Sequence, residues 1–576
     1  MSESSDQTTS LNVVIVGAGL AGLTVAHELH RAGGFTVHVV DKGKRGGGKA
    51  RTTEPGANFK EHSMRVLPGS YVCMHQVMEE ISVGDQTALD HLRPAEIEFR
   101  QGTFKCVVGG DYTKGSFGFI RYLRAAFRLL WFLRRCGVRT VDLTVFLCKI
   151  LVLLVLPPRR VTRDISRIKF SDYLGAQRTD DSYERVIFRI AEILVAAKSH
   201  ASAAVVSRTL LEWFTTPFLR GKYARKMVSE FDGPTSDVLI DPWIRQLDGP
   251  RVKFHHDTQV LDLSVRGRRI DGVRVQKQGC EEEIIAADTV VIAVQHNLAE
   301  TLLGPRLKKL LPGLADFKRL GEEWAHSVQF TVERIDGTLA EIQSRSVAMI
   351  DGPWSIGYKV YSKATWPGLD WSTTGLRDDQ GIVTATISNS HRRGVKHDRT
   401  LLQCNQTQIL EEVLAQTGLE QELAPATGRV GLDFRQMTEE EYEAEQDQLA
   451  GFAVATFEND GTQHVPVSDA QMYIRLPGNL DIEPENRTEV GNLFLAGEYT
   501  RTNYRIPTME KSCESGKRCS LTILDAYSRK VDPERLPSCD LPFAWLRSEL
   551  LHSVFRYAVR ACVLASVIYL LIRSFF

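Results

Sequence analysis

The patterned part of the chain opens with a short apolar run that is followed by apolar residues at helical spacing. The run covers Val13–Val16, and Leu23, Ala26 and Leu29 then recur at intervals of three. A second apolar run, Thr36–Val40, comes next. These periods, taken in this order, predict a strand, a helix and a second strand, which is the start of a parallel α/β sheet.

Further elements are predicted later in the chain from the same two periods. Strands are expected at Val252–His255, Gln259–Leu263, Ile270–Val275, Ala287–Val294, Ser327–Val332 and Ile382–Ile387. Helices are expected over 399–417 and 437–446, and the acidic residues of the second helix indicate a solvated face.

A basic stripe marks a very apolar helical segment at residues 117–135. Its arginines are spaced to fall on one narrow face of a helix, while leucines and aromatic residues fill the remainder; they are Arg121, Arg124, Arg128 and Arg135. This pattern is typical of a helix that lies on an anionic membrane surface. A soluble amphipathic helix with a solvated basic edge is the alternative.

The next segment, Val141–Leu156, is more apolar still and is interrupted only by Asp142 and Lys149. It is too short and too charged for a membrane span of roughly 20 residues. A helix lying in one face of a membrane, or the wall of a substrate tunnel, fits the pattern better. A buried core helix is the alternative.

The C-terminal segment contains an uninterrupted apolar block, Ala561–Ile572. At 1.5 Å per residue the block reaches about 18 Å, which is short of a bilayer core of roughly 30 Å. Flanking arginines can extend this reach by snorkelling. Residues 541–576 are therefore predicted to form a hydrophobic membrane anchor, with a packed terminal helix or a dimer contact as alternatives.

Composition narrows the class of protein. The chain has 576 residues, which is enough for two or three domains, and its 71 basic residues balance 71 acidic ones, so nothing favours nucleic acid as a partner. Ten cysteines are scattered without metal-ligand spacing, and Met1–Ser10 contains no signal-peptide core. We expect free thiols, no metal site, and a membrane-associated protein whose catalytic body lies on the cytoplasmic side.

The candidate chemistry begins between the first strand and the first helix, where the chain reads G-x-G-x-x-G. Gly17 suits the tight turn, Gly19 lets a pyrophosphate approach the backbone, and Gly22 allows the helix to pack close to the strand. Asp41, at the end of the second strand, suits a pair of ribose hydroxyls. The order of these features predicts a dinucleotide site, with a glycine-rich turn of an ordinary α/β protein as the alternative.

The residues after Asp41 indicate which dinucleotide is bound. The stretch 41–52 reads D-K-G-K-R-G-G-G-K-A-R-T, and Lys49 and Arg51 add positive charge to a second glycine turn. This stretch resembles the motif of a large flavoprotein group that includes amine oxidases, protoporphyrinogen oxidases and carotene desaturases. The resemblance implies FAD as the cofactor.

Two later stretches resemble the same group. The strands that close on A-D-T-V-V-I-A at 287–293 resemble its second flavin-domain segment, in which Val260 is implied to contact the adenine. Residues 492–501 and 507–518 resemble its closing strand and helix. There, Glu498 is implied to hold the ribityl or phosphate side, and the amides near Thr508 and Met509 to donate to the flavin O2 edge.

The closing motif departs from the family pattern at one place. The family has Gly-Ala after its Met-Glu pair, whereas this chain has Lys511-Ser512. The departure leaves open how the loop sits at the pyrimidine edge of the flavin.

The resemblance also implies which residues form the site. The cofactor-binding residues are Gly17, Ala18, Gly19, Leu20, Gly22, Asp41, Lys42, Gly47, Gly48, Lys49, Ala50, Arg51, Met64, Arg65, Val260, Gly497, Glu498, Thr508 and Met509. Arg65 and His62 lie in a stretch that passes beside the flavin ring in the family and are the candidate catalytic residues. The alternatives are an ion-paired arginine and a structural histidine.

The fold class that follows is α/β, with a discontinuous Rossmann-type FAD-binding domain, an inserted α+β substrate domain and helical membrane-associating elements. The FAD-binding domain is expected at 11–95, 231–300 and 485–530. The substrate domain is expected at 96–230 and 301–484, with membrane-facing helices at 117–157.

The function that follows is oxidation of a lipophilic substrate. Amine oxidases have an aromatic residue immediately before the Met-Glu pair, and Thr508 stands there instead, which argues against an amine. The closing motif looks most like that of phytoene and ζ-carotene desaturases and of hydroxysqualene dehydroxylases. The resemblance implies hydride abstraction to flavin N5 from an isoprenoid such as a carotene or squalene derivative.

Several alternatives and partners remain open at this point. One alternative is a dehydroxylase, an isomerase or an oxidase that acts on another lipid or polyketide chain, and another is a non-catalytic lipid-binding flavoprotein. No second G-x-G-x-x-G is present for a nicotinamide cofactor, so a membrane quinone or O2 is expected to accept the electrons. The oligomeric state is not determined by the sequence.

Overall fold

The computed structural model describes residues 10–52, 61, 63–112, 118–156, 160–176, 181–314, 317–323, 326–332, 334–374, 376–404, 406–420, 455–457, 464–466, 472–539 and 557. The predicted acidic helix at 437–446, the candidate residue His62 and, apart from residue 557, the predicted anchor at 541–576 lie outside the described residues.

The α-helices of the described chain have the following bounds: α1 (Leu20–Ala32), α2 (Val72–Glu79), α3 (Gly118–Arg135), α4 (Thr140–Val155), α5 (Phe170–Leu174), α6 (Arg189–Val195), α7 (Ala203–Phe214), α8 (Asp241–Leu247), α9 (His296–Leu310), α10 (Gly337–Ile342), α11 (Gln406–Thr417), α12 (Asn479–Ile482) and α13 (Met509–Ala526).

The strands have the following bounds: β1 (Leu11–Val16), β2 (Phe35–Val40), β3 (Ser82–Val83), β4 (Gln86–Thr87), β5 (Leu92–Pro94), β6 (Glu96–Gln101), β7 (Phe104–Gly109), β8 (Ser229–Phe231), β9 (Val252–His255), β10 (Thr258–Arg266), β11 (Arg269–Lys277), β12 (Glu282–Ala286), β13 (Thr289–Ile292), β14 (Gly321–Glu323), β15 (His326–Val332), β16 (Arg345–Met349), β17 (Ile356–Tyr361), β18 (Gly381–Ile387), β19 (Ala455–Phe457), β20 (His464–Pro466), β21 (Met472–Ile474) and β22 (Leu493–Leu495).

A five-stranded parallel sheet unites distant parts of the chain. Its strand order is β22-β13-β1-β2-β9, and β1 lies at its centre, paired with β2 on one side and β13 on the other. The first predicted βαβ unit and the later strands therefore join in one Rossmann-like sheet, which confirms the predicted α/β fold class. The bounds of the two predicted domains stay predictions.

Both faces of β1 are covered, which is why its sequence is a continuous apolar run. Val13 and Ile15 belong to the core cluster that contains the buried residues of α1, whereas Val14 and Val16 belong to a second cluster on the other face. The closing helix α13 contributes Cys513, Cys519 and Ile523 to the first cluster. The N-terminal and C-terminal motifs are thus held in one packed layer.

A second, six-stranded mixed sheet has the order β15-β18-β17-β16-β6-β7. Its strands come from chain segments before and after β9–β13, and β16 pairs with β6 in parallel. The predicted strands Ser327–Val332 and Ile382–Ile387 pair with each other in this sheet as β15 and β18. This arrangement agrees with a second unit that is built from two pieces of the chain.

Helices α3 and α4 occupy the segments that the apolar patterns predict. The arginines of the predicted stripe are all exposed on α3; they are Arg121, Arg124, Arg128 and Arg135. Helix α4 buries Leu143, Phe146, Ile150 and Leu153, so this face of α4 belongs to the core. Within the described residues, no helix combines the length and the apolar character that a membrane crossing requires.

Candidate functional site

The first glycine turn has the geometry that a bound pyrophosphate requires. Gly17 has φ +105°, and a Cβ there would lie 2.8 Å from the carbonyl oxygen of Ala293, so only glycine fits. A Cβ on Gly22 would lie 2.0 Å from the carbonyl oxygen of Gly17, whereas a Cβ on Gly19 would meet no atom within 4 Å. The backbone of the turn is therefore tightly packed at Gly17 and Gly22, and it leaves free space for a ligand at Gly19.

Helix α1 begins directly at this opening. Gly19 is its N-cap and makes no side-chain capping hydrogen bond, and the first turn, from Leu20, contains no acidic residue. The first amide groups of a helix lack intrahelical partners and favour an anion. The turn and helix therefore fit a phosphate group on the side of Gly19, as the sequence predicts.

The second glycine turn packs against the first. The amide of Gly47 donates to the carbonyl oxygen of Ala18 at 2.8 Å, and Gly48 begins a short helical turn that ends at Ala50. A Cβ on Gly48 would lie 3.1 Å from Cα of Gly19, so the two turns touch. The two turns form one cradle.

Asp41 fixes the two turns relative to each other. Its carboxylate accepts hydrogen bonds from the amide of Ala18 at 2.6 Å and from the amide of Gly43 at 2.8 Å. These bonds show a positioning role that the sequence does not reveal. The predicted contact of Asp41 with a ribose stays a prediction.

The basic residues of the second turn lie in different surroundings. Nζ of Lys49 lies 3.0 Å from Oε1 of Glu498, so an ion pair joins the second turn to the closing motif. The Arg51 guanidinium is buried and donates to the carbonyl oxygen of Arg45 at 3.0 Å, whereas Lys42 is exposed. Lys49 and Glu498 are thus brought together across 449 residues of chain.

The closing motif positions the start of α13. Gly497 has φ +144° and donates its amide to Oγ of Ser515 at 2.8 Å. Thr508 is the N-cap of α13, whose first residue is Met509, and its hydroxyl accepts from the amide of Lys511 at 3.5 Å. The predicted contact of Thr508 and Met509 at this capped helix start with the flavin stays a prediction.

Glu510 anchors this helix to α2. Its carboxylate accepts from the amides of Cys73 and Met74, both at 2.9 Å, at the start of α2. Burial raises the pKa of Glu510 to about 8, against the opposing effect of these two hydrogen bonds. In the sequence, Glu510 is indicated only as part of the closing motif.

Val260 lies in β10 of the three-stranded sheet β10-β11-β12 and pairs with Val275. The register shifts between Val260 and Asp262, which makes a β-bulge at this point. Bulges interrupt the ladder and free backbone groups. The place of Val260 is thus compatible with the predicted backbone contact to adenine, which stays a prediction.

Taken together, the two turns fit FAD on structural grounds: the space beside Gly19 is open and α1 starts there without a capping side chain. The turns, Lys49, Glu498 and the start of α13 are the residues that would hold the cofactor. When bound, FAD would supply the oxidant; the chain's own residues supply its orientation and the charges around it.

The candidate catalytic residue Arg65 is held by the protein itself. Its Nε lies 2.8 Å from Oε1 of Glu61 and its Nη2 donates to the carbonyl oxygen of Lys49 at 2.9 Å. Arg65 and Ser63 have φ values of +46° and +67°, which L side chains rarely adopt. Strained backbone of this kind is often found at functional sites. Arg65 is ion-paired in the structure, and its predicted catalytic role stays a prediction.

Glu61 is the hub of this segment and was missed by the sequence reasoning. Its buried carboxylate also accepts from the hydroxyl of Thr52 at 2.6 Å and from the amide and hydroxyl of Thr235 at 3.0 and 2.9 Å. The second glycine turn, the 61–65 segment and the segment before α8 are thereby tied together.

A small cavity of about 10 Å³ lies beside this hub. It is lined by the predicted residues Met64 and Arg65 and also by residues that no motif indicates, such as Glu230 and Lys359. Nζ of the buried Lys359 lies 3.0 Å from both carboxylate oxygens of Glu230. Burial raises the pKa of Glu230, although Lys359 opposes the shift. A lysine inside the apolar strand β17 is the signal that could have indicated this pair.

A larger cavity, of about 100 Å³, lies between α3 and the edge of the six-stranded sheet and is almost entirely apolar. Ala125, Leu129 and Leu133 of α3 line it from one side. The other walls come from β6, β7, α4, α6 and α7, for example Phe99, Phe146, Leu194 and Trp213. Such a space accepts an apolar molecule and offers little to a charged one.

Two family models match parts of the chain. The model of the NAD(P)-binding Rossmann-like domain matches residues 15–81, which contain both glycine turns. The model of the flavin containing amine oxidoreductase matches residues 434–524, which contain the closing strand and the start of α13.

Curated relatives match along most of the chain. The chain is 25% identical over 560 residues to the zeta-carotene desaturase of Arabidopsis thaliana, which covers 90% of this chain and 86% of that protein. It is 23% identical over 529 residues to the 15-cis-phytoene desaturase of Synechococcus elongatus, which covers 89% and 96%, respectively.

A solved structure shares the fold. An oxidoreductase from Methanosarcina mazei matches with a TM-score of 0.52 at 14% identity, over 89% of this chain and 100% of that chain.

Proposed function

We propose that this chain desaturates a long lipophilic substrate. It belongs to the superfamily of FAD-dependent amine oxidases and carotene desaturases and is an FAD-dependent oxidoreductase. An isoprenoid such as a carotene or a squalene derivative is the substrate class that we favour. FAD would accept the hydride, and a quinone or O2 would reoxidise it.

The apolar cavity beneath α3 is the observation that carries this proposal. Its walls come from the same unit as the six-stranded sheet, and residues of both α3 and α6 line it. Ile193 of α6, next to the cavity residue Leu194, packs beside Met64 at Gly357. Helix α6 thus contributes to the wall of the cavity and also packs beside Met64, in the segment where the flavin ring is expected.

The same helix supports delivery of the substrate from a membrane surface. On the outer side of α3, Phe127 is 68% exposed and Trp131 is 56% exposed, and Arg124 and Arg128 are exposed beside them. Exposed aromatic side chains with arginines match the chemistry of an anionic lipid surface. We infer a catalytic body that rests on the cytoplasmic face of a membrane, with residues 541–576 as an additional anchor.

The start of α13 supports a substrate other than an amine. Thr508, in the position before Met509 and Glu510, acts as a helix cap, so its small side chain is directed to the backbone of Lys511. An aromatic wall for an amine is missing from this position. The apolar lining of the cavity beneath α3 has the same implication, because it offers no carboxylate to a protonated amine.

Anaerobic mixing of the FAD-loaded full-length protein with detergent-dispersed lipids tests the proposal. A linear carotene, squalene and a long-chain primary amine are compared, and the absorbance of the oxidised flavin is followed. We expect bleaching with an isoprenoid, together with a product lighter by two hydrogens in mass spectrometry, and no bleaching with the amine. Bleaching by the amine alone would contradict the proposal, and tight lipid binding without bleaching would indicate a carrier.

A further inference from the structure

Lys511 is a lysine without any exposed surface in the first turn of the closing helix α13. Its Nζ donates to Oε1 of Glu483 at 3.1 Å and to the carbonyl oxygen of Thr500 at 3.0 Å, and it lies 5.2 Å from the ring centre of Tyr473. This is the position at which the chain departs from the Gly-Ala of the family it resembles.

The surroundings of Lys511 carry more positive than negative charge. Glu483 also pairs with Arg475, and the side chains of Arg475, Glu483 and Lys511 are all 0% exposed. The Glu483 carboxylate thus forms ion pairs with two cations, Arg475 and Lys511. Its third partner, the Tyr473 hydroxyl, donates to it at 2.8 Å and is neutral. Burial lowers the pKa of Lys511 to about 8, with Arg475 acting in the same direction and the carboxylates of Glu483 and Glu498 against it.

A further cation adds to this excess. Nη1 of Arg505 is buried and has no hydrogen-bond partner among the described residues. The backbone carbonyl oxygen of Arg505 accepts a hydrogen bond from the Arg475 guanidinium, so the two arginines are adjacent. Burial, together with Arg475 and Arg208, lowers the pKa of Arg505 to about 10, and the carboxylates of Glu212 and Glu483 oppose this shift.

The excess charge lies against the part of the chain that is assigned to the cofactor. Thr500, whose carbonyl oxygen Lys511 binds, closes the short turn that starts at Gly497 and includes Glu498. Lys511 itself follows the N-cap Thr508 by three residues. Buried cations that share too few carboxylates are costly, and negative charge that arrives on the cofactor side offsets that cost.

We propose that Lys511 sets the reduction potential of the bound flavin, as a positioning residue that keeps a buried positive charge beside the Gly497–Thr500 turn. Because reduction adds negative charge to the flavin, a fixed positive charge favours the reduced form and raises the potential. This inference goes beyond the proposed reaction and needs only the cofactor, so its failure is distinguishable from a wrong substrate.

The midpoint potential of the FAD-loaded full-length protein tests this role without any substrate. For Lys511→Met we expect the equilibrium between oxidised and reduced flavin to move about tenfold toward the oxidised form, which is a drop of about 30 mV for a two-electron couple. Lys511→Gly, with the residue found in the resembling family, should show the same drop, and Lys511→Arg should keep the wild-type potential.

Lys517→Met is the matched control. Lys517 is also fully buried on α13 and donates to a carboxylate, Oε1 of Glu28, at 2.6 Å, but it lies farther along the helix from the closing turn. For Lys517→Met we expect the equilibrium constant between oxidised and reduced flavin to stay within about twofold of the wild-type value. Equal potentials in wild type and both uncharged Lys511 variants would overturn the proposal. Loss of FAD from both of them, with FAD retained by Lys517→Met, would replace it by a purely structural role.

Discussion

A Cβ atom added at Gly19 would lie in open space, whereas a Cβ atom added at Gly22 would clash with the carbonyl oxygen of Gly17. We expect Gly19→Val to fold with wild-type stability and to weaken FAD binding by about tenfold or more, close to 1.4 kcal/mol. Gly22→Ala should instead lower the free energy of unfolding of the apoprotein by about 1–3 kcal/mol, because the helix must move away from the strand.

Thermal unfolding of the apoproteins and fluorescence titration with FAD measure the two effects separately. If Gly19→Val bound FAD as the wild type does, the opening at this turn would not be the pyrophosphate site. If Gly22→Ala left the free energy of unfolding of the apoprotein unchanged, the close packing of α1 on β1 would not be what requires glycine at this position.

Glu510 offers a pH-dependent prediction. Burial raises its pKa to about 8 from an ordinary value of 4.5, so between these values the folded protein holds a proton that the unfolded chain has released. Stability should therefore fall as pH rises through this window, by up to about 1.4 kcal/mol per pH unit. Glu510→Gln should remove that part of the slope in denaturant unfolding measured across the window. A variant with the wild-type slope would exclude Glu510 as its source.

Among single residues, the sequence indicates those whose role is determined by their immediate neighbours in the chain. Gly17, Gly19 and Gly22 could be assigned from the strand and helix around them, because the turn and its requirements are local. The partner of Lys359 could not, because Glu230 reaches it only through packing between segments that are distant in sequence. Glu61 lies four residues before Arg65, but its bonds to Thr235 also required the fold. Lys511 stood out as a departure from a motif, but its burial and its partner Glu483 required the fold.

Helix α3 presents two faces with different tasks. Ala125, Leu129 and Leu133 line the apolar cavity, while Arg124 and Arg128 are exposed beside aromatic side chains. We expect Arg124→Glu/Arg128→Glu to weaken sedimentation with phosphatidylserine-containing vesicles by about tenfold or more, because each basic residue near an anionic surface contributes about 1 kcal/mol. The loss should be smaller at high salt, where the wild-type attraction is screened.

The matched control reverses two exposed arginines away from α3. Arg268 and Arg269 lie at the turn between β10 and β11 and are exposed. Their double glutamate variant changes the net charge by the same amount and should sediment like the wild type. Equal weakening in both variants would show that net charge, and not α3, governs the attraction.

Elements with strong periodicity were predictable, and their pairing was not. The helices at 117–135 and 141–156 were expected within a residue or two of α3 and α4, because their apolar spacing is long and regular. The central place of β1 also follows from its apolar run. The six-stranded sheet pairs β6 with β16, which are separated in the chain by the strands β9–β13, and no local pattern encodes that contact.

On the scale of the whole molecule, a buried ionic network ties the described end of the chain to its beginning. Arg535 donates to both carboxylate oxygens of Glu28 at 2.8 Å and to Glu80, and Lys517 also donates to Glu28. Burial opposes ionisation of Glu28 and Glu80, but the bonds from Arg535 and the neighbouring Lys517 and His27 hold the pKa of both carboxyls below its usual value.

Removal of Arg535 should therefore destabilise the entire fold. We expect Arg535→Met to lower the free energy of unfolding by about 3 kcal/mol at neutral pH, because buried carboxylates lose a charged partner. A depressed carboxyl pKa stabilises the folded state above the unfolded value and this stability is lost on acidification, so the difference from wild type should shrink below about pH 4.5. Denaturant unfolding at several pH values measures it.

The exposed Lys530 supplies the control for this variant. Lys530→Met should change the free energy of unfolding by no more than about 0.5 kcal/mol. An Arg535→Met protein that is as stable as the control would show that the network does not hold the two ends of the chain together.

The central claim about the molecule is that motifs from distant parts of the chain hold one FAD between them. The most direct measurement is the FAD content of the purified full-length protein, determined from the absorbance of cofactor released on unfolding against protein concentration. We predict one FAD per chain for the wild type and a clear loss for Gly19→Val, with both proteins folded. A folded wild-type protein that is colourless and takes up no FAD on reconstitution would contradict the account.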